Sequence, residues 1–391
     1  MKGRRWMRAG LTLLLVMVAW ATLCGVASAQ EKPQLAWYGY VKLDASWDEA
    51  LVNPGNYARW VVSEDVVGNH SHFNMTARQT RLGFTAVSKA GGATLNGRWE
   101  SDFYAGAGAA AENRNALQVR HAYVDVVWPS GWSVLAGQAS DVVSPLNPAT
   151  LNYIVAWWGG NTGYRRPQLR VTRRVKMGEG KELRIEGAAT RTIGDEFVAS
   201  DPGDTGADSG TPSFQGLMGV TTPVSGRSLG LGVYGHSGEE NLHSELGGDP
   251  VKLGSSSLGM YLTLPMGAKA TLNGEAWAGT NMDDYMGGIA QGIRVAGTSA
   301  NEVAARGGWA ELALRSAAGT QVNFGYSVDD PDDDDLARGS RSLNRALWAN
   351  VTRDAGGGLR YGVELSNWET RYVEMASGKS WRVQTSVQYS F

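Results

Sequence analysis

Cysteine is almost missing from this chain of 391 residues: Cys24 is the only one, so no disulfide framework can organise the fold. Histidine is scarce as well, and His70, His72, His121, His236 and His243 show neither the spacing of a metal site nor a catalytic constellation. No segment after Ala29 approaches the ~18 consecutive apolar residues of a membrane helix. Proline is modest at 12, and the 52 glycines have no fixed period, which excludes a collagen-like chain; 15 tryptophans argue against disorder. Helical periodicity is hard to find, so an all-helical fold is excluded too.

The N-terminus reads as a separate object. Lys2, Arg4, Arg5 and Arg8 precede the apolar run LTLLLVMVAW, and Ala27-Ser28-Ala29 follows it. A basic start, an apolar stretch and an A-x-A site describe a secretory signal peptide over 1–29, cleaved after Ala29, with the mature domain over 30–391. The alternative, an uncleaved anchor helix, is disfavoured by the short run and the small residues that end it. Cleavage removes Cys24 and four positive charges, which takes the formal net charge from −2 to −6. An acidic mature chain is a poor partner for nucleic acid.

What is present is alternation. The last residues, SWRVQTSVQYSF, place Trp381, Val383, Val387, Tyr389 and Phe391 on one parity and Arg382, Gln384, Ser386, Gln388 and Ser390 on the other. LAWYGYVKLDASW at 35–47 and ATLNGRWESDF at 93–103 repeat the pattern, as do 256–264, 320–328 and 359–367. Period two marks a sheet with one apolar and one polar face. Short connections (SKAGG, WPSGW, KMGEGK, TPVSGR, LPMGA, RSAAGT, RDAGGG) alternate with longer polar ones near 48–74, 105–115, 139–165, 194–212, 237–253, 280–302, 328–340 and 370–379. Seven short turns and eight long loops predict about sixteen strands. That regular hairpin order does not fit a Greek-key sandwich. It predicts an all-β, transmembrane, antiparallel up-and-down β-barrel, apolar outside and polar inside, with short periplasmic turns and long external loops. A terminal strand ending in Phe391 also looks like the mark by which barrel-assembly machinery recognises bacterial outer-membrane proteins.

Six stretches in order, GYVKLDASWD, ARQTRLGF, GRWESDF, RHAYVDV, GQASD and RRPQLRVT, resemble the DcaP-like family of trimeric outer-membrane porins. The resemblance covers about 39–175 and the final strand, and elsewhere is generic to porins. It implies a homotrimer in the bacterial outer membrane, among lipid and lipopolysaccharide, that admits small anionic solutes such as dicarboxylates. General anion and phosphate porins are the nearest alternative; a barrel enzyme or a surface-binding protein is the alternative of another class. Some relatives carry a coiled-coil extension before the barrel, and the few residues between Ala29 and the first strand leave no room for one. No cofactor or metal is expected.

Selectivity in a wet barrel comes from inward charges and inward-folded loops. Parity directs Lys42, Asp44, Arg81, Arg98, Glu100, Asp102, Arg170, Arg174, Arg184, Glu186, Arg360, Glu364 and Arg382 to the lumen. ALQVRHAYVDVVW alternates poorly, so either Arg120 or His121 is expected inside. Arg165, Arg166, Arg170 and Arg174 cluster directly after the loop 141–164. These arginines either form a ladder for anions, with planar guanidiniums that pair with carboxylates, or neutralise Glu100, Asp102 and their like. The loop 141–164 is unusually apolar, with Ile154, Val155, Trp157 and Trp158; it is expected to fold inward and narrow the pore, the alternative being a place at the trimer interface. DDPDDDD at 329–335 reads as a solvated loop tip, with divalent-ion binding or repulsion of anions as alternatives.

Overall fold

Residues 32–391 are described by the computed structural model, except 69, 106–111, 113–114, 194–208, 243–250, 297–298 and 317–318. The expected leader, 1–29, and His243 lie outside the described residues. Successive strands pair antiparallel with their neighbours, and the first, Gln34–Asp48, pairs with the last, Met375–Ser390, from Tyr40↔Ser390 to Asp48↔Arg382. The other edge of Gln34–Asp48 pairs with both His72–Thr76 and Arg81–Ala90, which form one wall strand interrupted at 77–80. With those two segments counted together, the sheet is a closed antiparallel barrel of sixteen strands. Among the described residues, no helix is long and apolar enough to cross a membrane.

Burial is inverted relative to a soluble sheet. On the first strand Trp37 is 71% exposed, and Val41, Leu43 and Trp47 are exposed with it, whereas Lys42, Asp44, Ser46 and Asp48 are buried. On the last strand Trp381, Val383, Val387 and Tyr389 face out while Arg382, Gln384 and Ser386 face in. Such an outer surface suits hydrocarbon, and closure is what makes it viable there, because an open edge would leave backbone amides unsatisfied in lipid. At the seam Gly39 donates to the Phe391 carbonyl at 3.2 Å and Phe391 donates back at 3.1 Å. The short turns are local: Ala90 pairs with Ala93 across Gly91 and Gly92, whose φ angles of 56° and 77° suit a two-residue hairpin.

One expected loop is corrected. Instead of a long connection at 370–379, Leu359–Tyr372 and Met375–Ser390 stay paired up to Tyr372↔Met375, leaving a two-residue link. The polar residues there continue the alternation beyond the apolar band rather than ending the strands.

The apolar core lies within the barrel, where loops meet. Val142 and Val143 of the 141–164 connection pack with Met282, Tyr285 and the inward Trp277. Further along the same loop, Ile154, Trp157 and Trp158 pack with Met286, Ile289 and Ala290 of the 281–303 connection and with Trp60. Trp60 belongs to a small hairpin, Val52–Pro54 with Ala58–Val61, that the first long loop folds inward.

Candidate functional site

The 141–164 connection leaves the wall between Trp132–Ser140 and Arg165–Lys176 and is anchored on strands far around the ring. Leu146 N donates to Glu275 at 2.8 Å, with the Ser144 hydroxyl on the same carboxylate. Ala149 N donates to Glu311 at 2.6 Å. Leu151 N and the Thr150 hydroxyl donate to Glu364, each at 2.7 Å. Gln384 closes the series by donating to the Leu151 carbonyl at 2.9 Å. Three carboxylates on the inner face thus hold successive amides of one loop. The apolar residues of that loop are inside the barrel, not on its outer surface. Trp277, which donates from its indole to the Gly160 carbonyl at 2.8 Å, faces inward beneath it.

On the near side, between this loop and the wall from Gln34–Asp48 to Arg165–Lys176, lies a cavity of about 290 Å³ lined by Tyr40, Gln79, Arg81, Arg120, Tyr153 and Arg165 among others. Arg81 lies 3.4 Å from Glu100 and 3.9 Å from Asp102. Arg120 contacts Glu100 at 2.8 Å and Asp102 at 2.7 Å, and Arg98 contacts Glu100 at 2.6 Å. Tyr153, from the loop, donates to Asp102 at 3.1 Å. Burial, reinforced by the nearby Asp102, pushes the Tyr153 phenol up, so it stays a donor.

The poor alternation around Arg120 has a structural cause. The register steps from Glu100↔His121 to Ser101↔Val119, leaving Arg120 as an extra residue in a β-bulge. The bulge lets both Arg120 and His121 face the side of Glu100, where strict alternation permits only one.

Two of the expected lumen arginines are corrected. Arg166 is inward but 0% exposed: it contacts both oxygens of Asp141, at 2.8 and 3.0 Å, donates to the Asp284 carbonyl at 2.7 Å and lies 4.0 Å from the Tyr285 ring. Arg382 is 1% exposed, fixed to both oxygens of Asp48 at 2.9 Å and covered by the inward hairpin loop, whose Gly55 carbonyl it also reaches. Both are staples rather than surfaces a solute meets, because loops unforeseeable from strand parity cover them. Arg170 lies 3.9 Å from Glu186 and shares it with Arg184 at 3.7 Å. Arg174 sits at the short-turn end beside Glu182 at 2.9 Å, away from the cavity. Lys42 pairs with Asp44 at 3.2 Å, and Arg360 donates to the Thr352 hydroxyl at 3.2 Å.

The acidic run is divided among local tasks. Asp329 accepts the Ile289 amide at 3.2 Å, Asp330 pairs with Arg306 at 2.9 Å, and Asp335 accepts the Ala304 amide at 2.9 Å. Among the described residues no group of His, Cys, Asp or Glu has metal-holding geometry. The sequence reading missed Glu275, Glu311, Asp141, Tyr153 and the second inward segment at 281–292. A signal for that segment existed: Met282, Tyr285, Met286 and Ile289 are as apolar for a loop as Ile154 and Trp157.

No protein-family model matches the chain, and no curated protein matches it in sequence. Solved structures do match. The outer membrane channel DcaP of Acinetobacter baumannii has a TM-score of 0.73 at 20% identity, with 92% of this chain and 98% of that one covered. OmpF of Salmonella typhi, in complex with daunomycin, has a TM-score of 0.63 at 14% identity, covering 92% and 98%. An anion-selective porin from Comamonas acidovorans has a TM-score of 0.58 at 11% identity, covering 92% and 100%. The fold is therefore that of the outer-membrane porins.

Proposed function

We propose that this protein is a porin of the bacterial outer membrane that passes small hydrophilic solutes and favours anions, dicarboxylates among them, past a constriction formed by the loop 141–164. The observation that carries the reading is a local charge imbalance. Beside the cavity, Arg81, Arg98, Arg120 and Arg165 meet Glu100 and Asp102, so four guanidiniums face two carboxylates and two positive charges remain, while the buried Arg166 and Asp141 neutralise one another. In a narrow passage with low-dielectric walls, such a surplus concentrates anions. The wall carboxylates Glu275, Glu311 and Glu364 oppose it little, because the loop amides cover them.

The reading includes a homotrimer embedded in lipid and lipopolysaccharide, delivered by a cleaved leader and inserted by barrel-assembly machinery that reads Phe391. It is tested by planar-bilayer recording of the purified protein in a potassium chloride gradient. Stepwise ohmic conductance with a reversal potential of anion-selective sign is expected. A silent bilayer refutes the channel, and a cation-selective sign refutes the anion preference. Native mass spectrometry in detergent checks the trimer.

A further inference from the structure

The guanidiniums around the cavity are not equivalent. Arg81, Arg98 and Arg120 share Glu100 and Asp102, and Arg166 is held by Asp141. Arg165 stands apart: it is 7% exposed, and among the described residues no carboxylate lies within ion-pair distance of it. Its Nη2 is buried with no hydrogen-bond acceptor. What surrounds it is aromatic, with the Tyr164 ring 4.6 Å and the Trp157 ring 5.3 Å from the guanidinium carbon. Those rings contribute attraction through their faces but accept no hydrogen bond along the guanidinium edge. A buried donor without an acceptor is uncommon and calls for a partner. The cavity onto which Arg165 opens offers the space.

We infer that Arg165 is the solute-holding residue of the pore: its unpaired edge takes a carboxylate of the passing solute as a pair of parallel hydrogen bonds, and the Trp157 and Tyr164 rings fix the plane in which that carboxylate lies. The neighbouring Arg120 is hydrogen-bonded to Glu100 and Asp102, and Arg81, although its Nε also lacks an acceptor, is ion-paired with the same two carboxylates at 3.4 and 3.9 Å, so Arg165 is the cavity guanidinium whose charge no wall carboxylate offsets. The ligand class is a small carboxylate, and the second negative charge of a dicarboxylate is met by the remaining positive surplus. This rests on the anion-pore reading and assigns its specificity to one residue.

The test is current blockade of the assembled protein by succinate, with neutral succinamide as the size-matched control. The wild-type channel is expected to show interruptions with succinate and none with succinamide. Arg165→Gln should weaken the apparent succinate affinity at least tenfold in channels that still open, with the reversal potential moved toward the cation-selective side as the positive surplus falls. Arg165→Lys keeps the charge in the aromatic cradle; it should retain the chloride preference yet weaken the block, because an ammonium lacks the planar fork. If Arg165→Gln does not assemble, the lysine variant alone decides. An anion-selective wild type whose succinate block is unchanged in the lysine and assembled glutamine variants overturns the role of Arg165 and leaves the pore reading standing. Equal block by succinamide also overturns it. A wild type that is cation-selective and unblocked removes the anion preference and this inference together, and leaves the channel standing.

Discussion

Glu364 accepts the Leu151 amide and the Thr150 hydroxyl, each at 2.7 Å, joining a wall strand to a loop more than two hundred positions away in sequence. Asn350 donates to the same carboxylate at 2.9 Å and reaches the Ala149 carbonyl at 2.6 Å, so the anchor is a small network rather than a single bond. Removing the acceptor strands several donors, at a cost of about 1–3 kcal/mol for each group left unsatisfied. Glu364→Ala should therefore loosen the middle of the 141–164 loop. Larger single-channel conductance and greater open-channel noise are expected, with Glu364→Gln intermediate because its amide oxygen still accepts. Unchanged conductance and noise in the alanine variant would show that the loop does not set the constriction.

Arg382 and Asp48 make the opposite kind of contact, a buried pair across the seam between the last strand and the first. Breaking a buried pair by removing one partner costs about 3–5 kcal/mol, because the other charge stays buried without compensation. Arg382→Ala should lower the temperature at which the barrel loses its heat-modifiable mobility in detergent gels, while ion selectivity stays near wild type. The double variant Arg382→Met with Asp48→Leu, which leaves no orphan charge, should recover much of the loss. A large selectivity change in an intact Arg382→Ala barrel would return Arg382 to the conducting surface.

The walls were legible in the sequence because a closed barrel writes its geometry locally. Outward residues must be apolar and inward ones polar at period two, and each turn carries its own glycines, so strand number and facing followed from stretches of about ten residues. The interior was less legible. Trp277 breaks the expected code by facing inward beneath the loop, and Arg166 and Arg382 have correct parity but meet loop residues rather than solute. Those contacts are long-range: Arg382 reaches Gly55 from 327 positions away, and no periodicity encodes such a pairing. Arg120 escaped assignment for a local reason, since a bulge suspends alternation where it sits.

Opposite shifts in selectivity are expected from two neighbours that touch one another. Arg81 and Glu100 are 3.4 Å apart and both contribute to the cavity charge. Arg81→Gln cuts the positive surplus and should move the reversal potential toward the cation-selective side. Glu100→Gln enlarges it and should move the potential further to the anion side. Both shifts should shrink on going from ~0.1 M to ~1 M salt, as the screening length falls from about 10 Å to about 3 Å. Shifts of the same sign, or a salt-independent shift, would show that the substitutions act by reshaping the pore.

Closure of the barrel rests on a glycine that leaves no room for a side chain. Gly39 exchanges two backbone hydrogen bonds with Phe391, and a Cβ built on it would collide with the Arg81 carbonyl and press the Phe391 ring at 3.1 Å. Gly39→Val should therefore force the first strand away from one neighbour or the other, opening an edge that lipid cannot satisfy. The expected outcome is a large fall in the fraction of protein that reaches the folded, heat-modifiable form. Deleting Phe391 removes the same two bonds without a collision and should reduce that fraction less during refolding in detergent. In cells the deletion should be the more damaging of the two if assembly machinery reads the terminal aromatic residue. Equal folding yields in detergent for Gly39→Val and the unaltered chain would mean that the seam is not held at this position.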